Sequence, residues 1–189
     1  MADWHKGLSL MPPTPSSGRD FGGRRVSPSE RVNDKMRKKY YLAYGSNLNV
    51  KQMKSRCPDA RVLGTGEMEG YRLLFKGSKT GYYLTIEKQE GSRVPVAVWE
   101  VSEADELRLD RYEGYPVFYC KAERSFTFRS FQTGRKRTIE AFVYIMHEDH
   151  LLGIPTMRYM ETCLEGYRFF GFDEEILRKA LNDSWEGLF

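Results

Sequence analysis

At 189 residues, 40% of them apolar and 14% aromatic, the chain is sized for one globular domain with a hydrophobic core rather than for a disulfide-stapled miniprotein. Its three cysteines, Cys57, Cys120 and Cys163, are odd in number, widely spaced and free of any C-x-x-C or Cys/His ligand pattern, which argues against a disulfide framework and a zinc site and predicts a reducing, cytoplasmic setting. No apolar run approaches the roughly 20 residues that span a bilayer, and no signal-peptide-like hydrophobic segment opens the chain, so a soluble protein without a membrane partner is expected.

The formal net charge of +4 is unevenly distributed. Residues 1–39 hold nine Lys/Arg against four Asp/Glu, leaving 21 basic against 22 acidic residues in 40–189. The leader is rich in Pro, Gly, Ser and Arg and has no sustained hydrophobic period, so residues 1–39 read as a disordered basic extension and residues 40–189 as the folded domain. A basic arm of this kind also fits an acidic partner, yet a nearly neutral domain leaves only the arm to collect phosphate contacts, which makes nucleic acid an unfavoured partner.

Order is predicted to begin with Tyr40-Tyr41-Leu42-Ala43-Tyr44, a buried first strand broken at Gly45. Asn49 is placed to cap a short helix through Arg56, which Pro58 stops. Strand-like stretches follow at Arg61–Phe75, Tyr82–Glu87 and Val94–Val101, divided by Gly-bearing turns. Ser102-Glu103-Ala104-Asp105 is a capping-box signature for a helix closing near Gly114. Two long strands, Phe118–Phe128 and Thr138–Met146, flank the polar turn Gln132-Thr133-Gly134-Arg135. Pro155-Thr156 opens an amphipathic helix through Tyr167, and Asp173-Glu174-Glu175 heads another through Leu181. Strands thus precede most of the helix, which predicts an α+β domain on a strongly curved, mixed or barrel-like sheet with flanking helices. Apolar positions of the last two helices, among them Met157, Met160, Leu164, Phe169 and Phe170, are assigned to core packing or to a homodimer contact.

Two segments carry potential chemistry. In Tyr44-Gly45-Ser46-Asn47-Leu48 a buried strand breaks at glycine and small polar residues precede a helix, a turn that can converge backbone N–H groups on an anion or serve as an ordinary turn. In Arg111-Tyr112-Glu113-Gly114-Tyr115-Pro116 a carboxylate sits at a helix C-terminus, the unfavourable end of the macrodipole, where neighbouring tyrosines would desolvate it and raise its pKa unless it simply faces water. His147-Glu148-Asp149-His150 lacks the helical H-E-x-x-H spacing of a metal site and reads as a solvated loop. Cys120 has no suitably placed histidine to activate it.

The order of these motifs resembles the γ-glutamylcyclotransferase superfamily: YGSNL after the first strand, Glu-Gly closing a later helix, a strand pair, then a Pro-Thr-x-x-Tyr helix. The resemblance, to AIG2-like and γ-glutamylamine cyclotransferase relatives, covers Tyr40 to Leu181. It implies the γ-glutamylcyclotransferase-like fold and an enzyme that converts a γ-glutamyl amide to 5-oxoproline and a free amine, without metal or organic cofactor. It further implies that Tyr44, Gly45, Ser46, Asn47 and Leu48 hold the γ-glutamyl group and that Glu113 is the general acid/base. Tyr119, Tyr144 and Tyr159 match pocket tyrosines. The expected partner is a small γ-glutamyl amine or γ-glutamyl amino acid. Two other readings stay open at this level: removal of a γ-glutamyl protecting group from a ligase-modified metabolite, and a non-catalytic module that binds a small ligand in the same pocket.

Overall fold

The computed structural model describes residues 38–189. The expected basic extension, residues 1–39, therefore lies outside the described residues except for Lys38 and Lys39. The first strand, β1 (Lys39–Ala43), begins at the second of these, pairing Lys39 with Val101.

Five strands close into a barrel. β1 lies antiparallel to β3 (Gly81–Val101) and parallel to β5 (Lys136–Met146); β5 pairs with β4 (Tyr119–Ser130), β4 with β2 (Arg61–Ser78), and β2 returns to β3. Closure removes the exposed edges that an open sheet would leave. A two-residue strand, β6 (Leu151–Leu152), adds to the far end of β2 and had no counterpart in the sequence reading. The predicted α+β architecture on a barrel-like mixed sheet is thus the observed one.

The stretches expected at Tyr82–Glu87 and Val94–Val101 are one strand. The charged residues between them read as a loop from composition, but they lie within the long hairpin of β2 and β3. Tyr71 faces Lys88 and Glu69 faces Arg93, so residues 89–92 of β3 stand opposite Gly70 alone, an irregularity that bends the hairpin.

Four helices flank the barrel: α1 (Val50–Arg56), α2 (Glu103–Glu113), α3 (Met157–Phe170) and α4 (Glu175–Glu186). Their starts follow local chemistry. The Asn49, Ser102 and Thr156 side chains accept from the amides of Gln52, Asp105 and Tyr159, each satisfying a donor that the helix leaves unpaired. α4 packs on β2, where the Ser184 hydroxyl accepts from the Phe75 amide at 2.8 Å and donates to the Ala180 carbonyl. The core runs through the barrel from Leu42 and Trp99 to Phe75, Phe128 and Val143. Among the described residues no helix is long and apolar enough to cross a membrane.

Candidate active site

The site forms where β1 ends. Chain leaving Ala43 turns at Gly45 into a 3-10 turn, Ser46–Leu48, that runs directly into α1. The turn's own bonds, Leu48 amide to Gly45 carbonyl and Asn49 amide to Ser46 carbonyl, leave the amides of Ser46 and Asn47 without an acceptor inside it. Leu48 anchors the turn from below. It is fully buried, and α3 approaches it so closely that a Cβ on Gly166 would stand 2.5 Å from its Cβ. Asn49 adds a bond from its amide nitrogen to Glu165 of α3 at 2.7 Å.

Glu113 arrives from the other side as the last residue of α2. Gly114 follows at φ 66°, and the amides of Gly114 and Tyr115 bond back to the carbonyls of Arg111 and Asp110. That left-handed cap suits glycine and stops the helix with the carboxylate at its C-terminal end. One turn earlier, Asp110 ties α2 to the barrel: it accepts from the Tyr144 hydroxyl at 2.6 Å and pairs with Lys121 at 2.7 Å.

Between the turn and the helix lies a cavity lined by Tyr41, Tyr44, Gly45, Ser46, Asn47, Leu84, Glu113, Tyr119, Tyr144 and Tyr159, with about 280 Å³ of empty space, its open mouth included. Glu113 Oε1 accepts from Asn47 Nδ2 at 2.8 Å, and the same Nδ2 donates to the Tyr41 hydroxyl at 2.9 Å. Asn47 Oδ1 accepts from Arg56 Nη1, while Arg56 Nη2 bonds to Gln52 and the guanidinium lies 3.5 Å above the Tyr112 ring. Arg56 thereby fixes which end of the Asn47 amide faces the carboxylate. Among the described residues Glu113 Oε2 has no hydrogen-bond partner.

Burial raises the Glu113 carboxyl to about 7, against the opposing pull of the Arg56 charge and the Asn47 hydrogen bond. The same burial pushes the hydroxyls of Tyr41, Tyr44, Tyr119, Tyr144 and Tyr159 further up, so all five are neutral phenols at neutral pH. Glu113 is therefore the group in this cavity whose charge changes near neutrality.

The sequence-predicted residues converge with one exception. Tyr44, Gly45, Ser46, Asn47, Glu113, Tyr119, Tyr144 and Tyr159 share the cavity, whereas Leu48 lies beneath it. The tyrosine hydroxyls are committed to the scaffold: Tyr44 donates to the Tyr144 carbonyl, Tyr119 to the Leu84 carbonyl, and Tyr159 accepts from the Leu84 amide. Tyr41, Arg56 and Leu84 were missed. Tyr41 reads as core in an aromatic strand and Leu84 acts through its backbone, which no side-chain pattern reveals. Arg56 carried a weak signal, a cation one helical turn after Gln52 in a helix that follows the loop directly. His147 and His150 stay outside the cavity, His147 against the Pro116 carbonyl and His150 on the Phe118 ring, and among the described residues no cluster of His, Cys, Asp and Glu is arranged to hold a metal ion.

The model of the gamma-glutamyl cyclotransferase, AIG2-like family matches residues 41–161, the span from Tyr41 through Glu113 to the first turns of α3. This chain belongs to that family. Solved structures share its fold. An uncharacterized human protein, loc79017, superposes with a TM-score of 0.64 at 25% identity over 76% of this chain and 86% of that one. A gamma-glutamyl cyclotransferase superposes with a TM-score of 0.63 at 24% identity over the same shares. YkqA from Bacillus subtilis gives 0.59 at 16% identity, over 81% of this chain and 57% of YkqA. A search of curated proteins found no match.

Proposed function

We propose that the chain is a cyclotransferase that releases 5-oxoproline and a free amine from a γ-glutamyl amide, with Glu113 as general acid/base. The observation that carries the reading is the Glu113 carboxyl, raised to about 7 and held against Asn47 of the YGSNL loop. Family membership supports the reaction type.

The chemistry follows from what ring closure needs. The substrate's α-amine attacks its own γ-carbonyl carbon, the new C–N bond forms, and the amide C–N bond to the leaving amine breaks. An α-amine with a pKa near 8 is largely protonated at neutral pH and must lose a proton to attack. The ammonium gives that first proton to solvent; as the amine attacks, ionised Glu113 takes a second proton from the attacking nitrogen through Oε2 and returns it to the leaving nitrogen, so no water is consumed. A carboxyl near 7 serves both steps, since it is part ionised and part protonated at the working pH.

The cavity contributes by confinement. Enclosing a folded γ-glutamyl group among Tyr41, Tyr119, Tyr144 and Tyr159 brings amine and carbonyl into contact distance, and oriented intramolecular reactions gain on the order of 7–11 kcal/mol in this way. The Ser46 and Asn47 amides, without an acceptor inside their turn, supply donors for the substrate carboxylate or for the developing oxyanion. A γ-glutamyl amide library tests the reading: the expected result is 5-oxoproline and amine in equal amounts, and release of free glutamate instead would replace cyclisation with hydrolysis.

A further inference from the structure

A second, larger groove continues outward from the cavity, with about 660 Å³ of empty space including its mouth. The two share Ser46, Glu113, Tyr119 and Tyr159, so the Glu113 carboxylate stands on the boundary between them. Under the cyclotransferase reading, on which this inference rests, a γ-glutamyl group lies inward of Glu113, the bond that breaks lies beside it, and the leaving amine extends into the outer groove.

The groove's own walls are aromatic. Tyr83 sits edge-on to Phe118, with ring centroids 6.2 Å apart, and edge-on to Tyr159 at 5.2 Å; Phe118 is backed by the His150 ring at 4.5 Å. Tyr112 forms another wall, held by Arg56 over its ring and by its hydroxyl 3.4 Å from Ser46 Oγ. These contacts fix the rings in place before any ligand arrives.

The charge at the rim is as specific as the walls. Glu113 and Arg111 are the charged side chains lining the groove, and Arg111 is exposed with no ion pair or side-chain hydrogen bond among the described residues. Its neighbours on α2 differ: Asp110 is paired with Lys121, and Arg108 with Asp105. A guanidinium with no ion pair among the described residues, at the mouth of an aromatic groove, suits a carboxylate on a ligand with an apolar body. It disfavours a second ammonium, which would meet like charge and, among the described residues lining the groove, find no carboxylate except Glu113.

We propose that this groove is the leaving-group subsite, and that Tyr83, Phe118 and Arg111 select γ-glutamyl dipeptides whose leaving amino acid has a bulky apolar or aromatic side chain and a free carboxylate. Polyamine amides are the disfavoured class. Burying a Phe-sized side chain against such walls favours it more than tenfold over a small one. An exposed ion pair with Arg111 adds roughly three- to fivefold.

The test compares 5-oxoproline release from γ-glutamylphenylalanine, γ-glutamylalanine, γ-glutamylphenethylamine and γ-glutamylputrescine, with wild type and Arg111→Gln. Because Arg111 is exposed, its replacement leaves the fold intact. The expected order of kcat/KM places γ-glutamylphenylalanine first and γ-glutamylputrescine last, and Arg111→Gln removes the advantage of γ-glutamylphenylalanine over γ-glutamylphenethylamine. Turnover of γ-glutamylputrescine as fast as the dipeptide, or an advantage that survives Arg111→Gln, overturns the subsite while leaving the cyclotransferase reading standing. Absence of 5-oxoproline from every amide overturns that reading instead. Calorimetric titration of γ-glutamylphenylalanine into Glu113→Gln protein then decides the groove: affinity lowered three- to fivefold by adding Arg111→Gln supports it, and no binding or unchanged affinity overturns it.

Discussion

Asn47 Nδ2 donates to Glu113 Oε1 at 2.8 Å across 66 residues of chain, joining the loop after the first strand to the end of α2. This bond favours the ionised carboxylate and offsets part of the burial that raises it. Asn47→Ala removes it. The acid limb of the kcat/KM profile is expected to move to higher pH, with activity at neutral pH falling about 10- to 100-fold; a pH-rate series on both proteins measures this. An unmoved limb would show that the amide positions substrate without tuning the carboxyl.

Arg56 acts through Asn47 and through its own charge. Arg56→Gln deletes a positive charge that lowers the Glu113 carboxyl and releases the Asn47 amide to turn over. The limb again moves to higher pH. Arg56→Lys keeps the charge but loses the planar contact with Tyr112 and the paired bonds to Asn47 and Gln52, so its limb should lie nearer the wild-type value while KM rises. The pair of profiles separates charge from orientation.

Stability carries the same signature. With a folded-state pKa near 7 against an ordinary 4.5, Glu113 stays protonated in the folded chain while it ionises in the unfolded one. Its contribution is complete below about pH 4.5, falls as pH rises through the window up to 7, and stays at its lower level above. Glu113→Gln keeps the acceptor for Asn47 and removes the penalty, so the variant should gain stability over wild type across that window, by on the order of 2–3 kcal/mol at pH 8. Denaturant unfolding at pH 5 and pH 8 gives the comparison.

Gly166 tests how α3 supports the loop. A methyl group there would meet Leu48 Cβ at 2.5 Å and the Leu48 carbonyl carbon at 2.8 Å, both in the turn that carries Ser46 and Asn47. Gly166→Ala should cost roughly 1–3 kcal/mol, as overpacking does, and should lower kcat by displacing Asn47 from Glu113. Thermal unfolding together with kinetics measures both effects; full activity with reduced stability would place the strain elsewhere.

Much of this architecture was legible in the chain because it is written locally. Asn49, Ser102 and Thr156 announced three helix starts, Gly114 announced the end that presents Glu113, and apolar runs marked the strands. Local chemistry failed where long-range pairing decides. The stretch between Glu87 and Val94 stays within the strand because its flanks, Lys88 and Arg93, pair with Tyr71 and Glu69 of β2, and β6 exists because Leu151 and Leu152 meet Lys76 and Gly77. The site divides in the same way. Side chains that carry polar chemistry at a turn or a helix end were visible, but Tyr41 sits in an aromatic strand that reads as core, Arg56 meets Asn47 only when α1 folds against the turn, and Leu84 enters through its backbone when Tyr159 of α3 reaches it.

The most direct test of Glu113 is single-turnover release of 5-oxoproline by wild type and Glu113→Gln at pH 7, with a γ-glutamyl amide bound at saturation. Gln keeps the Asn47 hydrogen bond and the shape of the cavity but neither accepts nor returns a proton. A loss of 10²- to 10⁴-fold in the rate of the chemical step, with binding retained, is predicted. Equal rates in the two proteins would contradict the assignment of Glu113 as the acid/base.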